Sequence, residues 1–300
     1  MSTMSENQNV ATVAKQHKRK SQWADVWRRL KQSKPAVMGL VVFVLLCLMA
    51  ITAPLFLNYE QDVIRINVQN RLQAPSADHW MGTDDVGRDV FARVVWGSRA
   101  SLSIALRIVI FSLLVGGGIG ATAGYFGGLY DNVVMRVMDV FQAIPGILLA
   151  ITIVAALGPD TRNLIIALTV SSCPVFARVV RGPVLTIREV EYIEAAKAIG
   201  AKSHTIITSH VLPNCLAPIM VQFTLSVAGM ILGIAGMSFL GLGIQPPEPE
   251  WGGMLAASRQ FIRDHAYLAF FPGLAIMLTV LSINLLGDGL RDALDPRLKT

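Results

Sequence analysis

Residues 35–59 read PAVMGLVVFVLLCLMAITAPLFLNY, 25 residues in succession without an Asp, Glu, Lys or Arg. About 20 predominantly apolar residues are enough to carry a helix across a ~30 Å hydrocarbon core. Five more charge-free runs follow, at 108–130, 140–159, 163–177, 203–247 and 265–287, and the six together take up 151 of the 300 residues. Only 15% of the chain is charged, against about 25% in an ordinary soluble domain. At this length a soluble chain would divide into roughly two domains; the placing of the charges excludes that reading. The fold class is an all-α membrane protein.

The runs predict six transmembrane helices, at 36–57, 102–125, 134–157, 163–180, 214–240 and 266–287. With the N-terminus inside, the cytoplasmic segments carry 17 Lys and Arg and the external ones 8, while acidic residues split 9 to 10. Positive charge sets membrane orientation and acidic charge does not, so both termini are expected in the cytoplasm. The net charge of +6 is therefore an insertion signal, and no nucleic-acid partner is expected. The organisation reads as a cytoplasmic tail (1–34), a first span (35–59), an external segment (60–100), a five-helix core (101–290) and a cytoplasmic tail (291–300). No cleavable signal peptide is apparent, since the polar, basic start precedes an apolar run long enough to remain as an anchor.

Few groups in the spans carry chemistry. Arg107 is expected near the outer start of the second span and Asp139 near the inner start of the third, snorkelling or paired. Cys47, Cys173 and Cys215 lie singly in apolar runs, as small buried hydrophobes. Gly116, Gly117, Gly118, Gly120 and Gly124 offer a surface for close helix approach. No Gly-Lys pair occurs, so there is no Walker A loop. Gln142, Ser171, Ser172, Gln222 and Asn284 suit either a pore wall or helix–helix hydrogen bonds.

Two connecting segments are more than connectors. In 60–100, Val86, Val90 and Val94 recur at helical spacing, with Asp89 and Arg93 as an i, i+4 pair on the polar side. That pattern predicts a helix lying at the outer interface with Trp80 and Trp96 at headgroup level; a docking surface is the sharper alternative. His79, Asp84, Asp85 and Asp89 read as solvated charges rather than metal ligands. In 181–213, Glu191, Glu194, Ala195 and Ala198 fall on one helical face, Gly200 suits a left-handed helix stop, and a second helical stretch is expected to stop at Leu212-Pro213. Such a pair of short helices projects a compact surface that can enter a partner's groove.

The spacing of Glu194-Ala195-Ala196, Gly200 and Leu212-Pro213 resembles the EAA loop of ABC importer permeases, with His210 where the general pattern has Ile. The resemblance extends from about residue 20 onward, through 81–89, 123–128, 239–243, 245–252 and 287–296. The chain is similar to the C-type permease of dipeptide, oligopeptide, glutathione and nickel importers. That resemblance implies a type I importer fold in a bacterial-type inner membrane. The implied partners are a homologous second permease, two cytoplasmic ABC ATPases and an external solute-binding protein, with membrane lipid around them. It implies no cofactor and no enzymatic activity in this chain, ATP and Mg²⁺ being held by the ATPases. Glu191, Glu194, Ala195, Ala196, Gly200, His210, Leu212 and Pro213 would be coupling residues within 189–212. An ion-coupled secondary transporter or a membrane scaffold is the competing class; the first needs membrane-embedded titratable groups, of which only Arg107 and Asp139 are on offer.

Two external stretches, 79–98 and 245–253, combine Trp with acidic residues and turn formers. Trp80, Asp84, Asp85, Glu248 and Trp251 are expected to form or brace a docking platform, with Trp251 held rigidly near the pore mouth.

Overall fold

Where a charge-free run meets a capping residue, a helix begins. The computed structural model describes residues 22–294; most of the N-terminal tail and the Asp295-Pro296 motif lie outside the described residues. A short amphipathic helix α1 (Gln22–Gln32) leads into α2 (Lys34–Phe56). At the junction the Ser33 hydroxyl accepts from the Ala36 amide at 3.4 Å, and Pro35 sits where its missing N–H costs nothing. Helix α3 runs unbroken over Val90–Phe126, capped by the Asp89 carboxylate on the Ala92 amide at 2.8 Å. Helices α4 (Gly128–Ala143) and α5 (Gly146–Leu157) meet at an 84° bend. Helix α6 (Thr161–Ile187) is followed by the short α7 (Glu191–Ala198), then α8 (Ser203–Phe239), α9 (Trp251–Ser258) and α10 (Tyr267–Leu294). Five of these are long and apolar enough to cross a membrane, six if α4 and α5 are counted as one broken span. Outward-facing Ile51, Leu55 and Phe56 on α2 are exposed, as a lipid-facing surface requires.

The glycine-rich part of α3 packs on α6. A Cβ at Gly120 would run into the backbone of Ala177, so only glycine permits this approach. One apolar core joins α3, α6, α8, α9 and α10. A second, smaller core gathers Tyr125, Val180, Val184, Ile193, Ile206 and Val211 beneath α7.

Four sequence expectations need correction. The helix expected at the outer interface is the first part of α3, because Val90, Val94 and Val95 are buried in the main core and Asp89 is its cap. Arg93 does not pair with Asp89; it is 6% exposed and turned inward. The third span is not straight, since Pro145 has no N–H to continue a helix and the chain turns there. The stretch after Gly200 does not stop at Leu212-Pro213: the chain passes through wider and tighter turns at Ile207–Val211 and Leu212–Cys215 and continues as one helix to Phe239. Pro213 is accommodated because it falls at the start of the tight turn.

Candidate coupling surface and outer cap

Helix α7 is short, and eight residues make no stable helix alone. Packing holds it. Ile193 is 0% exposed and drives into the smaller core against the ends of α3 and α6. The Arg188 guanidinium donates to the Gly124 carbonyl at 3.0 Å, tying the end of α6 to α3, and Lys197 lies over the Tyr125 ring at 5.4 Å. The far end closes by geometry only glycine adopts readily. Gly200 has φ of +82°, its amide donates to Lys197 at 3.0 Å, and the Ala201 amide donates to Ala196 at 3.1 Å. Those two bonds make a Schellman stop, satisfying carbonyls that would otherwise be orphaned.

What this leaves outside is Glu191, Glu194, Ala195 and Ala198, all exposed. Ala196 turns partly inward onto the smaller core, so one alanine of the pair, not both, faces outward. His210 and Pro213 are exposed and Leu212 is half-buried. The Asn214 amide donates to the His210 carbonyl at 2.7 Å and to the Tyr192 hydroxyl at 3.3 Å, strapping α7 to the start of α8. The tip carries one residue that sequence reasoning missed: Ile199, 85% exposed. An isoleucine between Ala198 and a helix-stopping glycine was the available signal, since the residue before such a stop faces outward.

Two ion pairs tie the bent α4 to α6, the helix that carries this surface. Arg181 grips Asp131 through two bonds of 2.5 and 2.6 Å. Arg178 reaches Asp139 at 2.7 Å, so Asp139 is paired as expected.

At the opposite end the two external stretches are joined. Asp84 accepts from the Val86 and Arg88 amides at 3.0 and 2.9 Å and from Arg88 Nε at 2.7 Å. Arg93 stands 3.6 Å from the same carboxylate and donates to the Val63 and Pro247 carbonyls at 3.1 and 3.4 Å. Glu250 caps α9 on the Gly252 and Gly253 amides at 2.8 Å each. Trp251 is 0% exposed and its indole N–H donates to the Val94 carbonyl at 2.9 Å. Tyr267 closes the set, its hydroxyl donating to the Thr83 carbonyl at 3.0 Å. Asp84 and Trp251 therefore brace the cap from within, the second of the two roles expected for them. Trp80, 68% exposed against Phe91, together with Glu248 and the half-exposed Asp85, remains at the surface. Among the described residues no group of three His, Cys, Asp or Glu is placed to hold a metal ion.

Between α2, α3, α8 and α10 lies a groove of about 860 Å³, with Glu248, Arg99 and Arg107 as its charged residues. Of the polar residues considered in the spans, Ser171 and Ser172 donate to the Leu168 carbonyl and Gln222 donates to Ser226, each within its own helix.

The sequence matches the family described as binding-protein-dependent transport system inner membrane component over residues 116–300, and the N-terminal TM domain of oligopeptide transport permease C over 21–75. It is 49% identical over 280 residues to the dipeptide transport system permease protein DppC of Alkalihalophilus pseudofirmus, covering 93% of this chain and 91% of that one. To the glutathione transport system permease protein GsiD of Pectobacterium atrosepticum it is 43% identical over 282 residues, 93% of this chain and 92% of that one. Among solved structures, an inward-facing form of the MetNI methionine ABC transporter superposes with a TM-score of 0.55 at 21% identity, over 68% of this chain and 96% of that chain. At that identity the likeness is one of fold.

Proposed function

The chain belongs to the binding-protein-dependent transport inner membrane component family and is an ABC importer permease subunit, and on that premise we propose that it forms half of a translocation pore for peptides or a related small solute. Its pore partner is a homologous, non-identical permease. One of two ABC ATPases seats on the 189–212 surface, with both termini in the cytoplasm of a bacterial-type inner membrane, and a solute-binding protein delivers from the opposite face onto Trp80, Asp85 and Glu248. The chain has no enzymatic role of its own in this reading; ATP and Mg²⁺ belong to the ATPases.

The observation that carries the reading is the construction of α7. A short helix anchored by fully buried Ile193, closed by a left-handed Gly200 and presenting Glu191, Glu194, Ala195 and Ala198 outward is a rigid handle. The smaller core and the Arg188 bond join that handle to α3 and α6, the route by which force on it is passed on. ATP binding shifts the permease between inward- and outward-open states only as far as the ATPases prefer the handle's position in one of them. Glu194 supplies the charge contact and Ile199 the apolar one.

The test is Glu194→Lys in the complete transporter. Solute uptake and solute-stimulated ATP hydrolysis are expected to fall together by about tenfold or more, the scale of a lost charge contact at an interface centre. Near-normal values of both would remove the coupling role.

A further inference from the structure

Helix α1 leaves cations uncovered where it joins the first span. Arg28, Arg29, Lys31 and Lys34 fall within seven positions. Buried Leu30 anchors the helix: it lies with Ala36 against Gly289 of α10, where a Cβ would run into Ala36 and press on Leu30. Trp27, by contrast, is 48% exposed, and the Lys31 ammonium stands over its ring at 5.1 Å. Arg28 is engaged by Asp25 at 3.1 Å, and Arg29 lines the cleft between α1 and the end of α10, beside Asp292. Lys31 and Lys34 are exposed and, among the described residues, make no ion pair.

Two separate boundaries fix the depth of this helix. Lys34 directly precedes the charge-free run 35–59, and Asp288 directly follows the run 265–287. Apolar runs of that length fill the hydrocarbon core, so Lys34 and Gly289 both stand at headgroup level. Because Leu30 packs beside Gly289, α1 is held at that level too. Lys34 also heads a face of α2. Met38, Val41, Leu45 and Leu48 follow it at i+4, i+7, i+11 and i+14, all exposed, while Ala36 and Gly39 close against α10. That face is apolar along the hydrocarbon and becomes basic where the hydrocarbon ends. An indole beside lysines is the combination found at headgroup level, and lysine is depleted where protein meets protein. Basic clusters next to a span are drawn to anionic lipid.

We propose that Trp27, Lys31 and Lys34 form a binding surface for anionic phospholipid headgroups, the two ammonium groups meeting the negative charge and the indole setting the depth. The inference goes beyond the transport reading. It needs only that α2 and α10 cross the membrane, and it holds whichever solute is carried.

The test places the complete transporter in phosphatidylcholine nanodiscs containing a minor fraction of a phosphatidylglycerol with a photoactivatable group near its headgroup, or of the matching phosphatidylcholine. Adducts are mapped by mass spectrometry, those on the other long helices of the chain serving as the internal standard. Residues 22–38 are expected to take up about fivefold more of the anionic probe, the scale two lysines at a charged surface support. That ratio should fall to one in the double variant Lys31→Gln, Lys34→Gln and persist in Lys31→Arg, Lys34→Arg. Trp27→Ala should lower the yield from both lipids alike, since it removes depth and not charge; an unchanged yield would take the indole out of the surface. Equal yields from the two probes in the unaltered protein overturn the proposal. So does the absence of adducts from either, which would mean that protein covers this face. A preference abolished by inorganic phosphate at matched ionic strength also overturns it, because that result marks a site for free phosphate and not a lipid surface.

Discussion

Trp251 fills the junction of α3, α8 and α9 with no solvent exposure, and its single polar atom is spent on the Val94 carbonyl. Trp251→Ala removes that volume and the indole donor that ties α9 to α3. We expect a stability loss of about 3–5 kcal/mol, read as a fall in the thermal midpoint of the detergent-purified protein. Trp251→Phe keeps most of the volume but not the donor, and the loss should drop to about 1–3 kcal/mol. A docking role without a structural one would leave both midpoints unchanged. The sequence contained the aromatic and acidic residues of the outer cap but not their direction. Asp84 and Trp251 look like surface residues in a loop of Pro, Asp and Gly. Asp84 is turned inward by its own loop, the Val86 and Arg88 amides and the Arg88 side chain, whereas Trp251 is held by the Val94 carbonyl far away in the chain. Local pattern carries no information about partners roughly 150 positions away.

At the scale of elements, α7 and its stop were legible for the opposite reason. The helix, its outward face and the left-handed glycine are set by neighbours within a few positions, and Gly200 adopts φ of +82° as its place after the last helical turn implied. A β-branched residue there pays about 1–2 kcal/mol for a left-handed backbone, whereas Asn tolerates it. Gly200→Val should reduce uptake severalfold at unchanged membrane levels of the protein, and Gly200→Asn should retain most of it. Equal activity of the two variants would mean that the stop does not set the handle's position. The small-residue face of α3 was likewise readable, since Gly116 and Gly120 recur at four-residue spacing. The bend at Pro145 was hidden because 140–159 contains no charge, and an uninterrupted apolar run reads as one straight span. The outer half of α3 was misread because Asp89 and Arg93, four residues apart, look like a polar side. Asp89 caps the helix, and Arg93 is buried and satisfied by carbonyls on distant segments.

Across the whole molecule, the long helices place the two candidate surfaces at opposite ends. The handle rests on its own small core under α7, and the outer cap rests on the main core through Trp251 and the Arg93–Asp84 contact. A permease must move one end when the other is acted on, and helices α3, α6 and α8 run between these two bodies. This arrangement makes a sharp prediction about sidedness. Ile199, the exposed tip of the handle, and Glu248, exposed on the outer loop, should lie on different faces of the membrane. In a Cys47→Ser background, Glu248→Cys should react with a membrane-impermeant maleimide added outside intact spheroplasts, and Ile199→Cys should react only after the membrane is opened. Added solute-binding protein should slow the reaction at 248, and the assembled ATPases should slow it at 199. Reaction of both positions from the same side would overturn the six-span orientation, and with it the assignment of 189–212 to cytoplasmic ATPases. Correct sidedness with no protection at 248 by the binding protein would keep the orientation and remove the docking platform, leaving the outer cap as a brace for the ends of α3, α8 and α10.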